Sequence, residues 1–215
     1  MGKDIERTVR IPVGNMMLEG KLIVPARARG IVIFAHGSGS SRLSPRNNYV
    51  ARELERNGMG TLLFDLLSEE EDHIYDNRFD IALLSKRLLA ATEWLSSQPE
   101  ARGVPVAYFG SSTGSAAALV AAASLGRRIS AVVSRGGRPD MAIASLAMVR
   151  SPTLLIVGGE DGVVISLNQQ AYMHLGCVKE MEIIPGATHL FEEPGALEEV
   201  SRLAARWFRK HFSKR

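Results

Sequence analysis

The run V-A-Y-F-G-S-S-T-G-S-A at 106–116 decides the fold. Residues 104–109 form a short apolar stretch that reads as a buried strand, and 115–125 is alanine-rich and reads as a helix. Between them G-S-S-T-G at 110–114 has the spacing G-x-S-x-G. Strand, sharp turn and helix form the setting that exposes a nucleophilic serine at the top of a sheet. The turn strains its central residue, so its neighbours must be small, and Gly110 and Gly114 meet that need. Ser112 would then project above the sheet, with the positive end of the helix beneath it. An ordinary Gly/Ser strand–helix turn has the same five-residue spelling, so the weight rests on the flanks.

Working outward, the chain alternates strand and helix. Residues 8–12 and 18–24 alternate apolar with polar around Val13-Gly14-Asn15 and read as an antiparallel hairpin. The apolar run 31–35 reads as a buried strand leading into H-G-S-G-S-S at 36–41. Residues 47–56 fit an amphipathic helix with Val50 and Leu54 inward, stopped at Asn57-Gly58. Residues 61–67 form the next strand, and the acidic stretch 68–77 reads as a turn-like insert, more a solvated loop than a cover over a site. Apolar residues at helical spacing run from 79 to 95, with Asp80 or a neighbour as the cap. Beyond the central run come strands at 129–134, 153–157 and 180–184, and helices at 141–148, 164–175 and 196–212. Such alternation predicts a mostly parallel sheet with helices on both faces, whose ligands bind at the carboxyl ends of the strands.

Three polar residues fall at those ends. Ser112 follows one strand, Asp161 the second strand after it, and His189 the strand after that. The order Ser…Asp…His fits a catalytic triad assembled on one rim of the sheet. A serine hydroxyl needs a base within hydrogen-bond reach, histidine exchanges protons near neutral pH, and a carboxylate fixes the ring and stabilises the imidazolium. Glu160 is the nearest rival acid and Asp140 a weaker one. The developing oxyanion needs donors, expected from the backbone N–H of Thr113 and of Ser38, with Gly37 and Gly39 letting that loop approach. A phosphate-cradling reading of the loop fails, because neither a P-loop lysine nor a complete G-x-G-x-x-G is present. His36 borders the site. Arg42, Arg46, Arg135 and Arg138 follow strand ends on the same rim, and one or two of them could grip an anionic substrate group with a guanidinium fork. Contacts to carbonyls or to the acidic insert are the competing use.

Composition sets limits. The 215 residues carry a formal net charge of +3, with 46% hydrophobic and 23% charged residues. This suits one globular domain over 1–215. The basic excess gathers at Arg202, Arg206, Arg209, Lys210, Lys214 and Arg215, where cations complement a helix C-terminus. No basic stretch is interleaved with aromatics, so nucleic acid is not an expected partner. One cysteine, Cys177, excludes an internal disulfide and a multi-thiolate metal site, and reads as a small buried hydrophobe. There is no apolar segment of signal-peptide or membrane-spanning length, so the expectation is a soluble cytoplasmic protein without membrane contact, as a monomer or homodimer.

H-G-S-G-S at 36–40, G-S-S-T-G at 110–114, L-I-V-G-G-E-D at 155–161 and G-A-T-H-L-F at 186–191 together resemble the α/β-hydrolase superfamily, in its dienelactone-hydrolase-like branch. The resemblance spans nearly the whole chain. It implies a three-layer α/β/α sandwich, an eight-stranded sheet with the second strand antiparallel, Ser112, Asp161 and His189 as nucleophile, acid and base, and neither cofactor nor metal. Enzymes named for dienelactone hydrolysis usually carry cysteine where this chain has Ser112, which points to ordinary carboxylester chemistry on a small-molecule ester. Only residues 135–152 separate the strands between which many such hydrolases insert a lid, so no cap domain is expected. A catalytically idle hydrolase fold used for binding or assembly is the alternative, against which an intact triad argues.

Overall fold

The computed structural model describes residues 4–212. Eight strands form one sheet in the order β1-β2-β4-β3-β5-β6-β7-β8. They are β1 (Ile5–Val13), β2 (Met16–Val24), β3 (Ile31–Ala35), β4 (Gly60–Phe64), β5 (Val106–Ser111), β6 (Ile129–Arg135), β7 (Thr153–Gly158) and β8 (Lys179–Ile184). β2 runs antiparallel to both β1 and β4, while β3 to β8 are mutually parallel. The expected architecture, antiparallel second strand included, is what forms.

The sheet is covered on both sides, and its central strands β3 to β6 are buried at nearly every position. Along β3, Ile31, Ile33 and Ala35 enter one core and Val32 and Phe34 the other, as the two-residue period of a strand requires. The first core is closed by α3 (Ile81–Ser97), α4 (Thr113–Leu125) and α6 (Gly162–His174), the second by α1 (Pro45–Arg56) and α7 (Ala196–His211). Asp80 caps α3, its carboxylate accepting from the Leu83 N–H. In α7 the basic side chains are paired, Arg202 with Glu199 one turn away and Arg206 and Lys210 with Glu182 and Glu180 of β8. Lys214 and Arg215 lie outside the described residues. Cys177 is half-buried against the first core, not enclosed in it.

Two segments differ from the sequence expectation. β4 stops at Phe64, because Asp65 turns aside to accept from the Arg42 N–H, and the Leu66 N–H donates to His36 Nε2. The acidic insert is folded. Ser68 and Glu71 form a reciprocal capping box on α2 (Glu69–Asp72), and a 3₁₀ turn follows at Tyr75–Phe79. Asp72 pairs with Arg78 within the insert, and Glu71 pairs with Arg87 of α3, which fixes the insert to the body. Between β6 and β7 there is room only for a 3₁₀ turn (Pro139–Ala142) and α5 (Ile143–Leu146), so the carboxyl rim carries no cap domain. Among the described residues, no helix is long and apolar enough to cross a membrane.

Candidate active site

Ser112 is the single residue between β5 and α4, held at φ 50°, ψ −125°. That backbone region is costly for a residue with a side chain, by about 1–3 kcal/mol, and persists only where the surroundings over-determine it. Here they do. The Ser112 carbonyl accepts from the Ser115 N–H (3.1 Å), the Ser115 hydroxyl (2.8 Å) and the Arg138 N–H (3.1 Å), and the Ser112 N–H donates to the Arg135 carbonyl (3.3 Å). The flanking glycines are steric necessities. A Cβ on Gly114 would stand 2.2 Å from the Ala35 carbonyl oxygen, and one on Gly110 would stand 2.4 Å from Ser115 Cα. Gly37 passes directly over the serine, where a Cβ would lie 2.9 Å from Ser112 Cβ.

The other side chains arrive from neighbouring strand ends. Asp161 is the N-cap residue of α6, just past β7. His189 lies in the loop after β8, which is drawn against β7: the Glu160 N–H donates to the Ala187 carbonyl, and Gly158 leaves no room for a Cβ, 2.4 Å from that same oxygen. His189 Nδ1 consequently hydrogen-bonds Asp161 Oδ2 at 2.7 Å, with the carboxylate largely buried and the ring 40% exposed. Ser112 and His189 line one cavity of about 250 Å³, together with Gly37, Ser38, Ser40, Ser44, Arg46 and Arg135. Among the described residues no hydrogen bond yet joins the hydroxyl to the ring, a contact that commonly tightens only with substrate bound. A larger hollow, about 420 Å³, sits by Val106 at the opposite end of β5 and takes no part in this arrangement.

The rival acids are placed elsewhere: Asp140 is gripped by Arg138 through two hydrogen bonds, and Glu160 points to solvent. Thr113 opens α4, where a first-turn amide has no acceptor within its helix, and Ser38 borders the cavity. His36 is not free to meet a substrate. Its ring is buried, with Nδ1 bonded to the Gly37 carbonyl (3.0 Å) and Nε2 accepting from the Leu66 N–H (2.9 Å). The second bond requires the neutral ring, since Nε2 can accept only when unprotonated, and burial pushes its pKa below the ordinary value. Arg42 is likewise spent, on Asp65 and Glu19, outside the cavity.

Arg46 and Arg135 do border the cavity. Arg46 Nη1 donates to Glu192 at 2.7 Å. Arg135 is 7% exposed, lies 5.7 Å from the centroid of the Phe191 ring, and among the described residues donates only to Asn47 Oδ1, at 3.5 Å. Burial, then the charge of Arg46, lowers its pKa to about 10, still protonated at neutral pH. Ser115, Asn47, Phe191 and Glu192 were not singled out from sequence. Ser115 lies inside the central run and Phe191 closes G-A-T-H-L-F at 186–191, so both sat in stretches already quoted, whereas Asn47 and Glu192 are brought in by chain folding.

The dienelactone hydrolase family model matches residues 18–213. Two proteins of Mycobacterium tuberculosis, from strains CDC 1551 and H37Rv, are each 54% identical over 206 residues and bear a phosphoribosyl transferase name assigned provisionally. The match covers 96% of this chain but 46% of theirs, so the chain spans about half the length of the curated relatives it matches. A crystal structure of dienelactone hydrolase from Anabaena variabilis superposes with a TM-score of 0.93 at 53% identity, covering 97% of this chain and 98% of that one. Est1E from Butyrivibrio proteoclasticus shares the fold, with a TM-score of 0.82 at 15% identity, over 95% and 98% of the two chains.

Proposed function

Because the chain belongs to the dienelactone hydrolase family, we propose that it is a serine hydrolase that cleaves small carboxylic esters, thioesters or lactones through an acyl-enzyme. The observation that carries this reading is the 2.7 Å bond from His189 Nδ1 to Asp161, beside a serine in the strained elbow conformation. His189 takes the Ser112 proton as Oγ attacks the acyl carbon. The oxygen, now negative, is held by the Thr113 and Ser38 amides. The intermediate collapses, and the leaving alcohol departs with the proton from His189. Water, deprotonated by the same ring, then attacks the acyl-enzyme, frees the acid and restores Ser112. The transferase name of the curated relatives is not carried over, since this chain corresponds to less than half of them.

Turnover of p-nitrophenyl esters of rising acyl length tests this reading. The shortest members should be hydrolysed best, since a cavity of about 250 Å³ has little room for a long chain. Ser112→Ala should lose about a million-fold in kcat, the scale of loss for a triad nucleophile. No turnover of any member by the folded wild type contradicts the proposal and favours the idle-fold alternative.

A further inference from the structure

The arginines along the carboxyl rim divide into two kinds. Arg42, Arg78, Arg87 and Arg138 each hold a carboxylate. Arg135, more than nine-tenths buried and lining the cavity of Ser112, holds none among the described residues, and its Nε has no acceptor. A buried charge without a partner is strongly disfavoured, so the missing partner is expected to arrive with the ligand. Two further positive features meet it there. Arg46 Nε is also buried without an acceptor. The N-terminus of the twelve-residue helix α1 opens at Ser44, which lines the same wall, and the hydroxyl of Ser44 already caps the Asn47 N–H. Among the described residues the carboxylate paired with Arg46 is Glu192, whose side chain is 64% exposed and whose pairing is correspondingly weak.

We infer that this wall is a phosphate subsite, so that the ester cleaved at Ser112 carries a phosphate monoester group seated between Arg135 and Arg46. The inference rests on the hydrolase reading for its reaction but not for its binding. A carboxylate offers two oxygens, which one guanidinium fork uses up. A phosphate dianion offers three, enough to serve both guanidinium groups and match their combined charge. Glu192 then acts as a displaceable competitor for Arg46, not as part of the subsite.

Titration calorimetry of the full chain with phenyl phosphate and with benzoate, at neutral pH, tests this without turnover. Phenyl phosphate should bind about tenfold tighter than benzoate, and Arg135→Gln and Arg46→Gln should each weaken it by about tenfold. Glu192→Gln should strengthen it several-fold. Equal or tighter binding of benzoate, or binding indifferent to both arginines, overturns the subsite, as does no phenyl phosphate binding at millimolar concentration. If Arg135→Gln does not fold, Arg46→Gln and Glu192→Gln, both at half-exposed or exposed positions, still decide the matter. Reaction of Ser112 with a fluorophosphonate separates the two readings. Labelling without phosphate binding sinks the subsite alone, and phosphate binding without labelling sinks the hydrolase reading alone.

Discussion

Ser112 sits where its backbone would not rest unaided. Four hydrogen bonds from Ser115, Arg135 and Arg138 hold it there, and none of them uses its own hydroxyl. The side chain is thus left free while the backbone is fully committed, which is what a nucleophile requires. His36 is the reverse case: both ring nitrogens are committed to backbone groups, one inside the loop that carries Ser38 and one just past β4. Its role is to hold that loop to the end of β4, and the neutral ring it needs has a stability consequence. The folded pKa lies below the unfolded value of 6.5, so the unfolded chain binds the proton more readily. This contribution is complete above that value and is lost as pH falls through it towards the lower folded pKa. The melting temperature of wild type should therefore fall on acidification below about pH 6.5, and His36→Gln should flatten that fall. Identical pH dependence in the two proteins contradicts the assignment.

At the scale of elements, the site depends on backbones packed closer than side chains allow. α4 meets the end of β3 across Gly114, where the Ala35 and His36 carbonyl oxygens lie 2.2 and 2.4 Å from the position of a Cβ. Both obstacles are main chain and cannot swing aside. Gly114→Ala should cost about 3 kcal/mol of unfolding free energy in denaturant titrations, at the top of the range for overpacking. A loss below a few tenths of a kcal/mol is incompatible with this geometry. The central strands were legible in sequence as mostly apolar runs, and β3, apolar at every position, came out with the expected ends for that reason. The insert after β4 was not, because its single helical turn is E-E-E-D and buries nothing, so no apolar period announces it. The S-x-x-E spacing at Ser68 and Glu71 was the available signal, a capping box at the start of a helix.

For the whole molecule, parallel strand order does the assembling. Ser112, Asp161 and His189 are separated widely in sequence, and they meet because β5, β6, β7 and β8 are consecutive neighbours with their carboxyl ends on one rim. This much could be read in the sequence, since Ser112 and Asp161 follow apolar runs and His189 follows the alternating strand E-M-E-I-I at 180–184. The arginines could not be sorted in the same way. Arg42 and Arg135 both follow strands, yet Arg42 finds Asp65 and Glu19 while Arg135 is enclosed beside Phe191. Phe191 itself has φ 57°, an unusual conformation for an aromatic residue, which its place at the end of G-A-T-H-L-F does not announce. Which guanidinium remains unpaired depends on which loops the finished fold brings together. The central claim concerns the same assembly: the three side chains act as one proton-relaying unit that makes the Ser112 hydroxyl nucleophilic. Its most direct test is treatment of the full chain with a fluorophosphonate, followed by peptide mapping in a mass spectrometer. The account predicts a phosphonyl adduct on Ser112, absent from Ser112→Ala and much slower to form in Asp161→Asn. A folded wild-type sample that stays unlabelled, or carries its adduct on another residue, would contradict it.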